Sequence, residues 1–345
     1  MKYHIITYGC QMNEADSKKI ASLLKSQRHK PVEKIDEADL VVINACSVRQ
    51  SAMHRVYDKI NKYHKDKKII LAGCVLESDK KKFKDKIYQF WRPDKYFYCQ
   101  SIREPLSDHS KDTALVSIMT GCDNFCSYCV VPYTRGREKS RPADEIIKEI
   151  KNLIKNGLKE ILLMGQNVNS YHSSGKNSSS EASAKEDKFI SFPKLLHLLN
   201  ALPGNFTIKF LSSHPKDMSD ALIDTIAECE KVSEEIHLPV QSGDNTILRK
   251  MNRKYTVAHY KKLIKKIRQK MPAAAISTDV IVGFPGETKK QFENTEKLFK
   301  EIKFDKAYVS IYSPRPGTAA YRLRDNVPHE EKKRRWEILN KIANK

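Results

Sequence analysis

Gly121-Cys122-Asp123-Asn124-Phe125-Cys126-Ser127-Tyr128-Cys129 follows directly on an apolar run at residues 115–119 and spaces three cysteines as C-x3-C-x2-C. Three thiols in one short loop are a metal-binding pattern. Structural zinc takes four protein ligands, and no fourth Cys or His adjoins this loop. Three thiolates instead fit a 4Fe-4S cluster in which one iron carries no protein ligand. The position of the loop, just past a strand, also bears on the fold, because parallel α/β barrels collect their chemistry at the C-terminal rim of the strands.

Working outward, apolar runs at 115–119, 160–164, 207–211, 235–238, 277–282 and 307–312 alternate with helix-like patterns such as 143–156, 218–229, 257–270 and 289–300. Six strand–helix repeats predict a partial (β/α)6 barrel, open because closure takes eight. Residues 170–188 are rich in Ser, Lys and Glu and almost free of apolar side chains, which predicts a flexible surface loop. Residues 330–345 read as a basic helix ending the barrel.

Upstream, three shorter apolar runs end in the same residue type. Residues 3–8 precede Gly9-Cys10, residues 40–43 precede Asn44-Ala45-Cys46, and residues 69–72 precede Gly73-Cys74. Helix-like segments at 16–28 and 50–63 separate them, which predicts parallel strands. Neighbouring parallel strands lie ~4.8 Å apart, so Cys10, Cys46 and Cys74 can converge although distant in sequence. The expected architecture is a parallel three-layer α/β domain over residues 1–105 followed by the barrel over residues 106–345. Buried core cysteines are the bland alternative for this set. Cys99 and Cys229 fit neither set, and Cys229 reads as a packed residue closing an amphipathic helix.

The whole chain has 345 residues, 63 Lys+Arg against 42 Asp+Glu, and a net charge of +21. That excess favours a polyanionic partner. No apolar stretch approaches a membrane span and no signal-peptide core is present, so a cytoplasmic, monomeric protein with reduced cysteines and no membrane partner is expected.

With both cysteine sets in view, the chain resembles the radical S-adenosylmethionine methylthiotransferases. The most specific stretch is Cys126-Ser127-Tyr128-Cys129-Val130-Val131-Pro132-Tyr133-Thr134-Arg135-Gly136-Arg137-Glu138, followed by Ser140-Arg141-Pro142. Further matches are Gly165-Gln166-Asn167-Val168-Asn169, Ser212-Ser213-His214-Pro215, His237-Leu238-Pro239-Val240-Gln241-Ser242-Gly243 and Val282-Gly283-Phe284-Pro285-Gly286-Glu287-Thr288. The amino-terminal matches are Tyr8-Gly9-Cys10-Gln11-Met12-Asn13, Asn44-Ala45-Cys46 and Ala72-Gly73-Cys74. Members usually carry a small β-barrel RNA-binding domain after the catalytic barrel, and none is expected here.

The resemblance implies two 4Fe-4S clusters, one on Cys122, Cys126 and Cys129 that generates a radical from S-adenosylmethionine, and one on Cys10, Cys46 and Cys74 that supplies or carries sulfur. It implies transfer of a methylthio group to C2 of an N6-dimethylallyladenosine beside the anticodon of tRNA, with an electron-donor protein and a sulfur source as further partners. An aromatic C–H is too strong and unpolarised for side-chain acid–base chemistry, which is why a cofactor-borne radical is needed. Tyr128, Gln166, Asn167, Ser212, His214, Gln241, Ser242, Gly283 and Gly286 are the expected cofactor or nucleotide contacts, with Glu287 in the last turn; capping of the following helix is the alternative for the Ser and Asn residues. Arg135, Arg137 and Arg141 are expected to meet RNA, with Lys261, Lys262, Lys265 and Lys266 as a weaker candidate face. Alternative readings are a methylthiotransferase acting on threonylcarbamoyladenosine or on a ribosomal-protein aspartate, and a non-catalytic, metal-stabilised RNA-binding module.

Overall fold

The computed structural model describes residues 1–47, 50–99, 113–174 and 189–343. In the amino-terminal part the elements run β1 (Lys2–Tyr8), α1 (Gln11–Ser26), β2 (Lys30–Pro31), β3 (Leu40–Cys46), α2 (Gln50–Tyr63), β4 (Lys68–Cys74), α3 (Glu77–Lys82) and β5 (Gln89–Trp91). The strands form one parallel sheet in the order β2-β1-β3-β4-β5. All seven residues of β3 are buried, as a strand covered on both faces requires. Alternation divides them: Val41, Ile43 and Ala45 pack with Met53, Val56 and Ile60 of α2, whereas Leu40 and Val42 pack with Ile20, Ala21 and Leu24 of α1. The result is the expected three-layer α/β arrangement. The expected domain boundary at 105–106 lies outside the described residues.

The second part runs β6 (Thr113–Ser117), β7 (Met119–Thr120), α4 (Val131–Thr134), β8 (Lys139–Ser140), α5 (Ala143–Lys155), β9 (Glu160–Met164), β10 (His172–Ser174), β11 (Phe189–Ser191), α6 (Phe192–Asn200), β12 (Thr207–Phe210), α7 (Asp220–Glu228), β13 (Glu235–His237), α8 (Asn245–Lys250), α9 (Val257–Lys270), β14 (Ala275–Val282), α10 (Lys289–Ile302), β15 (Lys306–Ile311) and α11 (His329–Ala343). Parallel strands β6, β9 and β12 make one three-stranded sheet, and β13, β14 and β15 another. A parallel bridge between Ile208 and Val232 joins them, so six strands follow in sequence order around an open barrel. One continuous core lies between strands and helices, from Val116 and Ile161 through Leu222 and Ile264 to Phe299. Residues 170–174 are not loop throughout, since His172–Ser174 pairs antiparallel with Phe189–Ser191; residues 175–188 lie outside the described set.

The two parts share an apolar seam. Met12 of α1 packs with Leu162 and Met164 of β9, against Leu115 and Leu211. Helix α1 therefore packs on the barrel through Met12, two residues after Cys10.

Candidate active site

Cys46 and Cys74 end β3 and β4 as register partners, and Cys10 caps the start of α1. Two asparagines hold this corner. Asn13 Nδ2 donates to Asn44 Oδ1 at 3.0 Å and to the Ala45 carbonyl at 3.2 Å. Asn44 Nδ2 donates back to the Asn13 carbonyl at 2.7 Å and to Ser17 Oγ at 2.9 Å. Gly73 adopts φ +92°, and a Cβ there would lie 2.3 Å from the Ala45 carbonyl oxygen, so only glycine lets the strand ends close up. Burial and the neighbouring Cys74 push the Cys10 thiol up. Cys74 goes the other way, down to about 6, because the Cys46 thiol donates to it and Arg135 lies beside it, against the opposing effect of burial.

The loop 121–129 hangs on the barrel rim. Gln166, just past β9, accepts from the Gly121 N–H at 2.6 Å. Ser127 and Asn252 tie its far side: Ser127 Oγ donates to the Lys250 carbonyl at 2.8 Å and Asn252 Nδ2 to the Phe125 carbonyl at 2.9 Å. Tyr128 packs on Phe284 and Met251, inside the loop cluster. Burial drives Cys122 up to about 11 and Cys129 up to about 12, with Cys74 contributing at Cys129. The two cysteine sets are thus electrostatic neighbours. Arg253, 7% exposed, donates from Nη1 to Cys126 Sγ at 3.4 Å and from Nε to the Tyr255 hydroxyl at 2.9 Å. Among the described residues no three metal-ligating side chains meet at one point.

Polar groups without partners converge on the same rim. Asn167 Oδ1, Ser213 Oγ and His214 Nε2 are buried and find no hydrogen bond among the described residues. His214 Nδ1 accepts from the Lys216 N–H at 3.1 Å, which leaves the proton on Nε2 as an unmet donor. Burial, then Arg253 and Lys216, lower its pKa to about 2, so the ring is neutral. Its edge meets Tyr255, which links it through Arg253 to Cys126. Ser212 and Gln241 both hold φ +67°, a left-handed conformation costly for residues with a Cβ and concentrated at ligand sites. A buried ring of unmet donors and acceptors fits a polar cofactor such as S-adenosylmethionine.

Several expected contacts lie elsewhere. Ser242 is fully buried and its hydroxyl accepts from the Asp244 N–H at 3.2 Å beside Thr295, so it supports the start of α8. Gly283 is buried against Lys332 of α11, its N–H given to Glu287 at 2.7 Å; Glu287 in turn pairs with Arg335 at 2.8 Å. The Gly286 N–H goes to Asn326 at 2.8 Å. That turn is pinned to the terminal helix and its preceding loop.

Two of the three arginines expected on RNA are inside the protein. Arg135 pairs with Asp16 at 2.5 Å and Arg141 with Glu149 at 2.8 Å, both arginine side chains 2% exposed. A guanidinium without water needs such a partner, and the α1 seam supplies Asp16. Arg137 alone is exposed, stacked over Phe125 and 3.3 Å from Asp123. On α9, Lys261 and Lys266 are paired with Glu301 and Asp220 on neighbouring helices, which weakens that face as a phosphate tract. Cys229 packs beside His197, with Sγ 3.4 Å from Nδ1. Sequence reasoning did not single out Asn13, Asn44, Asp16 or Arg253 as functional. The first two stand in the quoted motifs beside cysteines, which was the available signal.

Residues 116–299 match the radical SAM superfamily, and residues 2–91 match the uncharacterized protein family UPF0004. A tRNA-2-methylthio-N(6)-dimethylallyladenosine synthase of Syntrophomonas wolfei is 42% identical over 99% of this chain and 81% of its own length. One of Thermoanaerobacter pseudethanolicus is 43% identical over 99% and 78%. Among solved structures, the radical S-adenosylmethionine methyltransferase TsrM from Kitasatospora setae, with cobalamin and a [4Fe-4S] cluster bound, superposes with TM-score 0.66 at 12% identity, covering 93% of this chain and 77% of that one. The cobalamin-dependent enzyme OxsB gives TM-score 0.58 at 9% identity over 99% and 56%. Those two likenesses are of fold.

Proposed function

Because the chain belongs to the radical S-adenosylmethionine superfamily, and within it to the tRNA-2-methylthio-N(6)-dimethylallyladenosine synthases, we propose that it is the transferase that adds a methylthio group to C2 of N6-dimethylallyladenosine in tRNA, in the cytosol, using two clusters. The observation that supports the two-cluster reading is the placement of two separate cysteine sets, Cys46 and Cys74 as register partners at the sheet edge with Cys10 at the start of α1, and Cys122, Cys126 and Cys129 on the barrel-rim loop, with Arg135 of the barrel reaching Cys74 Sγ at 2.9 Å. Cys122, Cys126 and Cys129 would hold a 4Fe-4S cluster, which when bound would supply the electron for reductive cleavage of S-adenosylmethionine. Gln166 fixes the loop that carries it, and Arg253 neutralises charge at Cys126. Asn167, Ser213 and His214 offer hydrogen bonds to the polar ends of the cofactor, and the strained backbone at Ser212 and Gln241 aims that rim. Cys10, Cys46 and Cys74 would hold the sulfur-bearing cluster opposite.

Anaerobically reconstituted protein should bind about eight irons, falling to about four when Cys122, Cys126 and Cys129 become Ala. Replacing Cys10, Cys46 and Cys74 by Ala should preserve formation of 5′-deoxyadenosine while abolishing methylthiolated nucleoside in digests of the tRNA, read by mass spectrometry. Methylthiolated product from that variant would make the amino-terminal cysteines structural.

A further inference from the structure

Arg135 belongs to the barrel, yet its Nε–H donates to Sγ of Cys74, on the sheet of the amino-terminal part, at 2.9 Å. Its Nη2 donates to Asp16 of α1 at 2.5 Å, and its Nη1 is buried with no partner among the described residues. A tie between the two parts would need only the carboxylate. Here the planar fork is divided, one edge to Asp16 and another to a cysteine sulfur, with a donor left over on the same buried side. Arg315, also from the barrel and 3% exposed, lies within electrostatic reach of Asp79 and Cys46. Asp79 is itself held by Ser47 at 3.1 Å and Tyr57 at 2.7 Å. Of the cross-strand pair Cys46 and Cys74, Cys74 therefore carries a direct hydrogen bond from a guanidinium that the other part of the chain contributes.

We propose that Arg135 is a positioning residue of the amino-terminal cluster: it orients Cys74, offsets the charge of the bound thiolates and raises the cluster's reduction potential. The inference rests on the two-cluster reading above. Adding one electron from an external reductant makes the cluster more negative by one charge, and a fixed cation bonded to a ligand sulfur stabilises that state over the oxidised one. Arg135 also stands six residues after Cys129, on the far side of the short helix α4, so the same backbone segment braces both sites.

The test uses the full chain with Cys122, Cys126 and Cys129 replaced by Ala, so that only the amino-terminal cluster remains. After anaerobic reconstitution it is titrated with dithionite and followed by electron paramagnetic resonance. Into this background go Arg135→Lys, and the pair Arg135→Met with Asp16→Leu, which removes both charges together and leaves no buried carboxylate unpaired. The midpoint should shift to lower potential in the Met/Leu protein and by a smaller amount in the Lys protein, with iron content unchanged at about four. Arg135→Lys keeps the charge and so reports even if the double variant does not fold. An unmoved midpoint in folded, iron-loaded variants would reduce Arg135 to a tie between domains. A background protein that takes up no iron would remove the second cluster itself, an outcome distinct from an unshifted signal.

Discussion

At the level of single residues, the corner holding Cys10, Cys46 and Cys74 depends on two amides that have no chemistry of their own. Asn44 gives both of its N–H donors and accepts from Asn13, all in full burial. Truncating it removes one acceptor of Asn13 Nδ2 and the donor to the Asn13 carbonyl and Ser17 Oγ, so Asn44→Ala should cost ~2–4 kcal/mol in urea unfolding and reduce iron uptake by about half. Asn44→Ala with unaltered midpoint and iron would mean the corner is held elsewhere. His214 makes a prediction of opposite origin. Its folded pKa is about 2 against an ordinary 6.5, so below pH 6.5 the unfolded chain takes a proton that the folded one refuses. Stability contributed there is present above 6.5 and is lost as pH falls, by up to ~1.4 kcal/mol per unit. Between about pH 7.5 and 5.0 the parent should therefore lose more stability than His214→Gln, and parallel curves for the two would assign the burial to another group.

At the level of elements, strand ends and their glycines explain why the cysteines meet. Gly73 and Gly157 both hold positive φ, +92° and +82°, but only Gly73 lacks room for a Cβ. Gly157→Ala should cost the left-handed penalty alone, ~1–2 kcal/mol, whereas Gly73→Ala should cost more and also lower iron content, because the Ala45 backbone in its way is the link to Cys46. Equal effects in the two variants, measured by urea midpoint and iron assay, would detach the strand end from the cysteines. Much of this was legible beforehand. Strand and helix periodicity located all six barrel strands and the three central strands of the amino-terminal sheet, but not its short edge strands β2 and β5, since each located run is apolar, bounded and alternates with an amphipathic helix. Individual roles along the rim were less legible. Ser242 and Asn167 are equivalent in sequence terms, polar residues after a strand, and only packing separates a hydroxyl turned to the next helix from a carboxamide whose oxygen is left unmet. Arg135 and Arg141 misled for the same reason: a sequence shows an arginine's charge and not the Asp16 or Glu149 that buries it.

For the molecule as a whole, burial of those arginines changes where RNA contact has to be sought. The net charge of +21 still favours a polyanion, but Arg135 and Arg141 contribute to cohesion and not to the surface. Among the three arginines that follow the cluster loop, Arg137 is the exposed one, beside the exposed rings of Phe125 and Tyr133. Reversing it to Glu should weaken tRNA binding several-fold at about 100 mM salt without lowering the thermal midpoint. It should also flatten the log–log salt slope by ~0.7–0.9 for each phosphate that is no longer neutralised. Arg135→Glu should behave differently. It sets a second carboxylate against Asp16 in a site closed to water, so stability should fall by several kcal/mol and any drop in binding should track the amount of unfolded protein. On α9 the lysines are partly neutralised by Glu301 and Asp220, so reversing Lys262 and Lys265 should reduce binding less than Arg137→Glu does. Filter binding of tRNA at several salt concentrations, with circular dichroism on the same samples, separates these outcomes. If Arg137→Glu leaves both affinity and slope unchanged while the lysine variant binds more weakly, the tRNA lies along the outer helices and the cluster loop is not where it docks.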